Sequence, residues 1–153
     1  MTTRLFGSFL TWMQEKDSLA FVVATANNIS NLPPELMRKG RFDEIFYVDF
    51  PNQSEREKIA SLHIGKRRRQ DLAQIDIAAL AKKLDGYCGA DIESVVRDGI
   101  EAAFVAGRER VTTEDLQAAI GRTHPISETM KDAIEEMSKT YKSKKFTNAS
   151  REE

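Results

Sequence analysis

Apolar positions recur at helical spacing along most of this chain, but one stretch near its start departs from that spacing. In "TRLFGSFLTWMQEKD", Leu5, Phe6, Phe9, Leu10 and Met13 share one face, which predicts a helix ending near Lys16. Next comes "LAFVVATA", residues 19–26, an almost unbroken apolar run too short for a typical helix and rich in strand-forming residues. A strand apolar on both faces is usually a central, parallel one covered by helices on each side. The run stops at Asn27 and Asn28. Ligands of open α/β sheets sit beyond the carboxyl ends of the strands, so polar residues there are functional candidates. A second strand is expected in "IFYVDF", residues 45–50, closed by Pro51.

After Pro51 the pattern is helical throughout. Ser54 with Glu57 reads as a capping box opening a helix that turns Ile59 and Leu62 inward. Asp76 opens another, with Ile77, Leu80, Ala81 and Leu84 on one face and Gly86 as its stop. A third runs from about Asp91 and buries Ile92, Val95, Val96, Ile100 and Phe104. Thr112 with Asp115 opens a fourth, carrying Leu116, Ala119 and Ile120. Ser127 opens a last one, with Met130, Ala133, Ile134, Met137 and Tyr141 along one stripe. From Lys142 the chain is polar and charged, and is expected to fray. The fold class expected is α/β followed by all-α. Residues 1–51 form part of a sheet-containing subdomain, 52–142 a helical one, and 143–153 a disordered tail. Two strands and one helix cannot cover both faces of residues 19–26, so partner strands are expected upstream of Met1.

Composition narrows the classes. The chain has 153 residues, 41% hydrophobic and 31% charged, with net charge −1, as befits one domain or a domain with a small attachment. No apolar stretch approaches the roughly 20 residues of a membrane span, and no signal-peptide pattern opens the chain. Cys88 is the single cysteine, which excludes an intrachain disulfide, and with His63 and His124 alone a Cys/His metal site is not expected. A reducing cytosol or organelle interior suits this usage. The near-neutral total gives no general reason to expect nucleic acid.

"PPELMRKGRFDE", residues 33–44, concentrates the candidate chemistry. Pro34 suits the first position of a short helix and Gly40 the left-handed residue that ends one. Arg38 and Arg41 then stand together at the end of a helical stub. Two solvated arginines are the ordinary reading of such a pair. A clamp for phosphate oxygens is the sharper one, because the planar guanidinium fork suits them better than a lysine does.

The stretch "VVATANNISNLPPELMRKGRFDEIFYVDFPN", residues 22–52, resembles the second region of homology of the AAA ATPases, and "GYCGADIESVV", residues 86–96, resembles the Gly-Ala-Asp motif of that family's helical lid. The nearest subgroup is the AAA proteins of cyanobacteria and plastids. The resemblance implies the C-terminal part of a P-loop NTPase α/β domain followed by an AAA helical-bundle lid. It also implies that the intact parent binds ATP and Mg²⁺ and couples hydrolysis to remodelling of a protein client by a ring, expected to be a hexamer. By residue, Asn27 matches sensor 1, which helps place the attacking water. Arg38 and Arg41 match arginine fingers, which reach the nucleotide of the neighbouring subunit. Gly89 and Ala90 match the lid backbone beside adenine and ribose. Cys88 replaces the common serine, which removes a good capping hydroxyl. Asn28 and Ile29 replace the commoner Arg-Pro.

Other parts of an ATPase site are missing from these residues. A P-loop needs G-x-x-x-x-G-K-[ST]. Gly65–Lys66 is the one Gly-Lys pair, but Arg67 follows it and Ala60 stands where the first glycine belongs. No apolar strand ends in Asp-Glu. The chain alone is therefore expected to be inactive, the back half of a module. "GKRRRQ", residues 65–70, carries four cations from Lys66 to Arg69 and reads as cations near a helix C-terminus, with nucleic-acid contact or targeting as the alternative. His63 reads as a boundary histidine without an evident acidic partner. The rival to the ATPase reading is a non-enzymatic helical module binding nucleic acid or protein.

Overall fold

The computed structural model describes residues 2–15, 20–29, 32–37, 42–144 and 146–150. They fall into two compact units, Met1–Ile45 and Phe46–Glu153.

In the first unit, helix α1 spans Thr2–Glu15, as the apolar spacing predicts. Phe9 and Trp12 stack on it with ring centroids 5.9 Å apart. Residues 20–26 form no strand, contrary to expectation. Phe21 is 92% exposed there and Val23 77%. The reason is elementary: a strand satisfies its N–H and C=O groups through a neighbour, and among the described residues no strand pairs with this run. The helical stub is a single 3₁₀ turn, Pro34–Met37, with Leu36 buried. Its expected continuation through Lys39 and Gly40 lies outside the described residues.

The second unit opens with β1, Phe46–Tyr47, shorter than the strand expected over 45–50. Helix α2, Gln53–Arg68, then leads to a 3₁₀ segment at Arg69–Gln74. Helices α3 (Ile77–Lys83), α4 (Gly89–Val105) and α5 (Thr113–Ile120) complete the bundle. Short α6 (Ile126–Thr129) and α7 (Lys131–Ser143) follow, and β2, Thr147–Asn148, ends the described chain. β2 lies parallel to β1, Phe46 opposite Thr147 and Tyr47 opposite Asn148. This pairing falls within residues 143–153, read from sequence as a tail.

One core organises the unit. Ala60 and Ile64 of α2, Leu80 and Leu84 of α3, Ile92, Val95 and Val96 of α4, and Leu116 and Ala119 of α5 meet in it. Each large aliphatic side chain buried here contributes about 1.5–3 kcal/mol relative to exposure. Gly86, at φ 77°, ends the α3 turn in the left-handed conformation, as expected.

Several expectations are corrected. The capping box of α2 is Asn52 with Glu55, not Ser54 with Glu57: Asn52 Oδ1 accepts from the Glu55 N–H at 2.9 Å and Glu55 Oε2 from the Asn52 N–H at 3.0 Å. The buried stripe of α2 runs through Arg56, Ala60 and Ile64, which leaves Leu62 outward at 53% exposure. Helix α4 starts at Gly89 rather than Asp91, and its end turns Phe104 to solvent, 79% exposed. The last stripe is two helices, because Met130 adopts φ −126°, ψ 32° between them. The helix starts expected at Asp76 and Thr112 do form as caps, each side chain accepting an N–H three residues on.

Candidate functional site

The best-defined candidate is the first turn of α4. Cys88 is its N-cap residue, in extended backbone. The Asp91 carboxylate closes back on the turn, accepting the Cys88 N–H at 3.0 Å. The same Oδ2 accepts the Ile126 N–H at 3.3 Å, joining the start of α6 to the start of α4. Behind them Tyr87 is buried, and its hydroxyl donates toward the Thr123 carbonyl at 2.9 Å and the Ile120 carbonyl at 3.2 Å. Burial, with the carboxylates of Glu128 and Asp91 nearby, pushes the Tyr87 phenol up. Burial likewise pushes the Cys88 thiol up, so it stays a neutral thiol at neutral pH.

Gly89 and Ala90 are therefore held on a turn braced from two sides. A Cβ placed on Gly89 would meet nothing within 4 Å, and Ala90 is exposed. The backbone there is open, and the N–H groups of a helix's first turn have no intrahelical partners. Asn27 is described in the first unit, exposed at a bend. Arg38 and Arg41 lie outside the described residues. The donor set for Mg²⁺ and the ATP phosphates does not occur in the sequence, and among the described residues no group of three or more His, Cys, Asp or Glu could hold a metal ion.

Several charged groups outside this turn are engaged with one another. Arg67 and Arg68 of the basic cluster lie in the last turn of α2. Arg67 donates to Glu93 Oε1 at 2.6 Å and Arg68 Nε to Asp71 Oδ2 at 2.8 Å; Arg68 also donates to the Glu109 carbonyl. The Arg67 hydrogen bond, set against partial burial, and the nearby His63 and Arg67 charges hold the Glu93 carboxyl below its usual range. His63 does have an acidic neighbour, which only the fold supplies: its Nδ1 is 3.6 Å from Glu93 Oε1.

Two buried charges carried no sequence signal. Arg56 donates to the Ala81 carbonyl at 2.9 Å and the Pro51 carbonyl at 2.8 Å, and lies 3.1 Å from Asp85. Asp71 is fully buried. Burial raises its pKa, but the Arg68 hydrogen bond, the Val111 N–H and the charges of Arg68 and Arg110 outweigh that and leave it lowered. A shallow groove of about 300 Å³ lies between the end of α2 and α4, lined by Arg68, Arg97, Ile100, Phe104, Arg108 and Val111. Arg68, Arg97 and Arg108 each pair with a carboxylate, of Asp71, Asp98 and Asp115, so the groove is not a free anion site.

Comparison with known proteins covers both units. The family model "ATPase family associated with various cellular activities (AAA)" matches residues 1–50, and the "AAA+ lid domain" matches residues 74–118. The uncharacterized AAA domain-containing protein ycf46 of Pyropia yezoensis is 43% identical over 136 residues, 89% of this chain and 27% of that protein. Its counterpart in Guillardia theta gives the same 43% identity and coverage. The ATP-dependent zinc metalloprotease FtsH of Thermus thermophilus is 38% identical over 109 residues, 71% of this chain and 17% of that protein. The chain thus spans about a quarter of the length of the ycf46 proteins it matches.

Proposed function

This chain belongs to the AAA family of ATPases, matching its ATPase domain and its lid, and on that premise we propose that it carries the sensor-1, arginine-finger and lid portion of an ATP-hydrolysing ring. The carrying observation is that the arginine pair Arg38 and Arg41 falls inside the segment matched by the ATPase model, residues 1–50. ATP with Mg²⁺ is the substrate, and the phosphate-cradling loop must come from sequence outside these 153 residues.

Each residue has a stated task. Asn27, past the apolar run 20–26, orients the attacking water through its amide. Arg38 and Arg41 act in trans: each guanidinium stabilises charge spreading over the phosphoryl group bound by a neighbouring subunit. Gly89 and Ala90 offer backbone to the adenine and ribose, a reading supported by the open space at Gly89 and by the hold of Asp91 on that turn. The ring, a hexamer in this reading, remodels a protein client in a reducing compartment, cytosol or organelle interior. The rival reading, a binding module using the basic cluster, has weaker support because Arg67 and Arg68 are engaged by Glu93 and Asp71.

Complementation in the full-length protein tests the in-trans role. Arg38→Ala should leave nucleotide affinity within about twofold while cutting turnover at least about 10²-fold, or about 2.7 kcal/mol of transition-state stabilisation. Subunits lacking Arg38, mixed with subunits lacking the P-loop lysine, should regain activity at shared interfaces. Mixed rings of folded subunits that regain none would refute the assignment.

A further inference from the structure

The pairing of β2 with β1 brings residues 147–148 onto the last residues of the ATPase match. Residues 46–52 run from the end of that match, at residue 50, to the start of α2, which leads to the lid match. Two residues of parallel pairing are too few to persist unaided. Side chains supply the rest of the hold. Tyr141 of α7 stacks on Tyr47 of β1 with centroids 6.2 Å apart, and Phe146 lies 6.3 Å from Tyr141 on the approach to β2. The Ala149 N–H donates to the Tyr47 carbonyl at 2.9 Å. The Ser150 hydroxyl donates to Glu55 Oε2 at 3.0 Å, the oxygen that also accepts the Asn52 N–H and so caps α2. Strand, helix cap and chain end thus form one network over the linker.

That network is nonetheless easy to open. No side chain of α7 is fully buried, whereas α2 to α5 share the core. Met130 and Met137 are exposed, and beyond the β1–β2 ladder residues 146–150 make polar contacts to Tyr47, Glu55 and one another. A segment with few buried contacts, joined to a well-packed bundle, opens locally without unfolding the rest. We propose that residues 131–144 and 146–150, which hold α7 and β2, form a releasable strap: α7 carries β2 onto β1, and while the pairing holds it limits how far the 46–52 linker bends. Aromatic contact sets the direction of closure, and the Ser150–Glu55 bond makes it register with the start of α2.

Hydrogen exchange and a reversible crosslink test this. Ending the chain after Ser143 should speed exchange at residues 46–50 at least about tenfold, with Val95 and Val96 of α4 unchanged. Tyr141→Ala should move the same amides the same way, by less. Unchanged exchange at 46–50 overturns the strap; loss of protection in α4 as well overturns its being releasable. In the full-length protein, Phe46→Cys with Thr147→Cys in a Cys88→Ser background locks the pair on oxidation. This arm rests on the proposed ATPase function. Oxidation should lower ATP turnover at least about threefold, restored by thiol, since conformational steps often set turnover. Equal turnover locked and released overturns the strap's part in the cycle. A reduced full-length protein that hydrolyses no ATP refutes the proposed function instead, and the exchange measurement then decides the strap alone.

Discussion

Leu116 of α5 lies so close to Gly99 of α4 that a Cβ on Gly99 would meet its Cδ2 at 2.7 Å, with the Leu116 Cα at 3.2 Å and the Asp115 carbonyl oxygen at 3.3 Å. The side-chain tip can swing away, but the two backbone atoms cannot without moving α5. Gly99→Ala would gain about 0.5–1 kcal/mol of helix propensity. Overpacking costs typically about 1–3 kcal/mol and should win. We therefore expect Gly99→Ala to lower the urea midpoint and Gly99→Val to lower it further. A midpoint raised by Gly99→Ala would show that α5 yields freely.

Asp71 gives the bundle an acid-sensitive contact. Its carboxyl pKa is lowered from the ordinary 3.8, so the unfolded chain binds that proton more readily than the folded one. Its contribution is present in full above the unfolded value and is lost as pH falls through the folded one. Asp71→Asn should destabilise the bundle at pH 7, and its stability should fall less steeply than the wild type's below about pH 4. Thermal melts of both proteins from pH 7 to pH 2 check this, and parallel curves would count against it.

Asp91 joins α4 to α6 through one oxygen, so its removal should have two effects. Asp91→Ala loses the partner of the Cys88 N–H and of the Ile126 N–H. Loss of such a cap costs about 0.5–2 kcal/mol. Exchange should quicken at Cys88 and Ile126 while the α2 amides stay protected. If the Gly89–Ala90 turn contacts nucleotide, full-length Asp91→Ala should also bind ATP less tightly, read by equilibrium titration.

The run 20–26 should report whether a sheet is completed. In the 153-residue chain its amides should exchange at least about 10³-fold faster than those of Val95 and Val96, because Phe21 and Val23 are exposed and among the described residues no strand pairs with them. In the full-length protein the same amides should be protected. Slow exchange of this run in a monomeric 153-residue chain would contradict the first statement.

The 153-residue chain should not turn over ATP, because its sequence holds no P-loop to cradle the phosphates. Steady hydrolysis by highly purified material, abolished by Arg38→Ala, would overturn this.

Local signals made the helical half legible. Asp76 and Thr112 cap α3 and α5 because a short polar side chain three residues before a free N–H needs only local geometry. Leu80, Ile92, Val95 and Leu116 are buried as their spacing implies, since the 3.6-residue period places them on one face whatever the neighbour. The family, too, was readable from residues 22–52 and 86–96, where the family models fall. Competition between nearby signals was harder to read. Asn52 and Ser54 both suit an N-cap, and Asn52 prevails where Glu55 can answer it.

Other features were decided by partners distant in the chain. Residues 20–26 carry strand composition, yet a strand exists only where another supplies its hydrogen bonds. Asp71 is buried because Arg68, Arg110 and the Val111 N–H converge on it from separate segments, and β1 is a strand because Thr147 and Asn148, about a hundred residues on, come alongside. The sequence determined which residues favour a helix, a cap or a turn, and which family pattern they follow, because those preferences act within a few residues. Tertiary structure alone decided which charges are buried, which apolar side chains stay in water and where the chain end docks, because each depends on surfaces meeting across long separations.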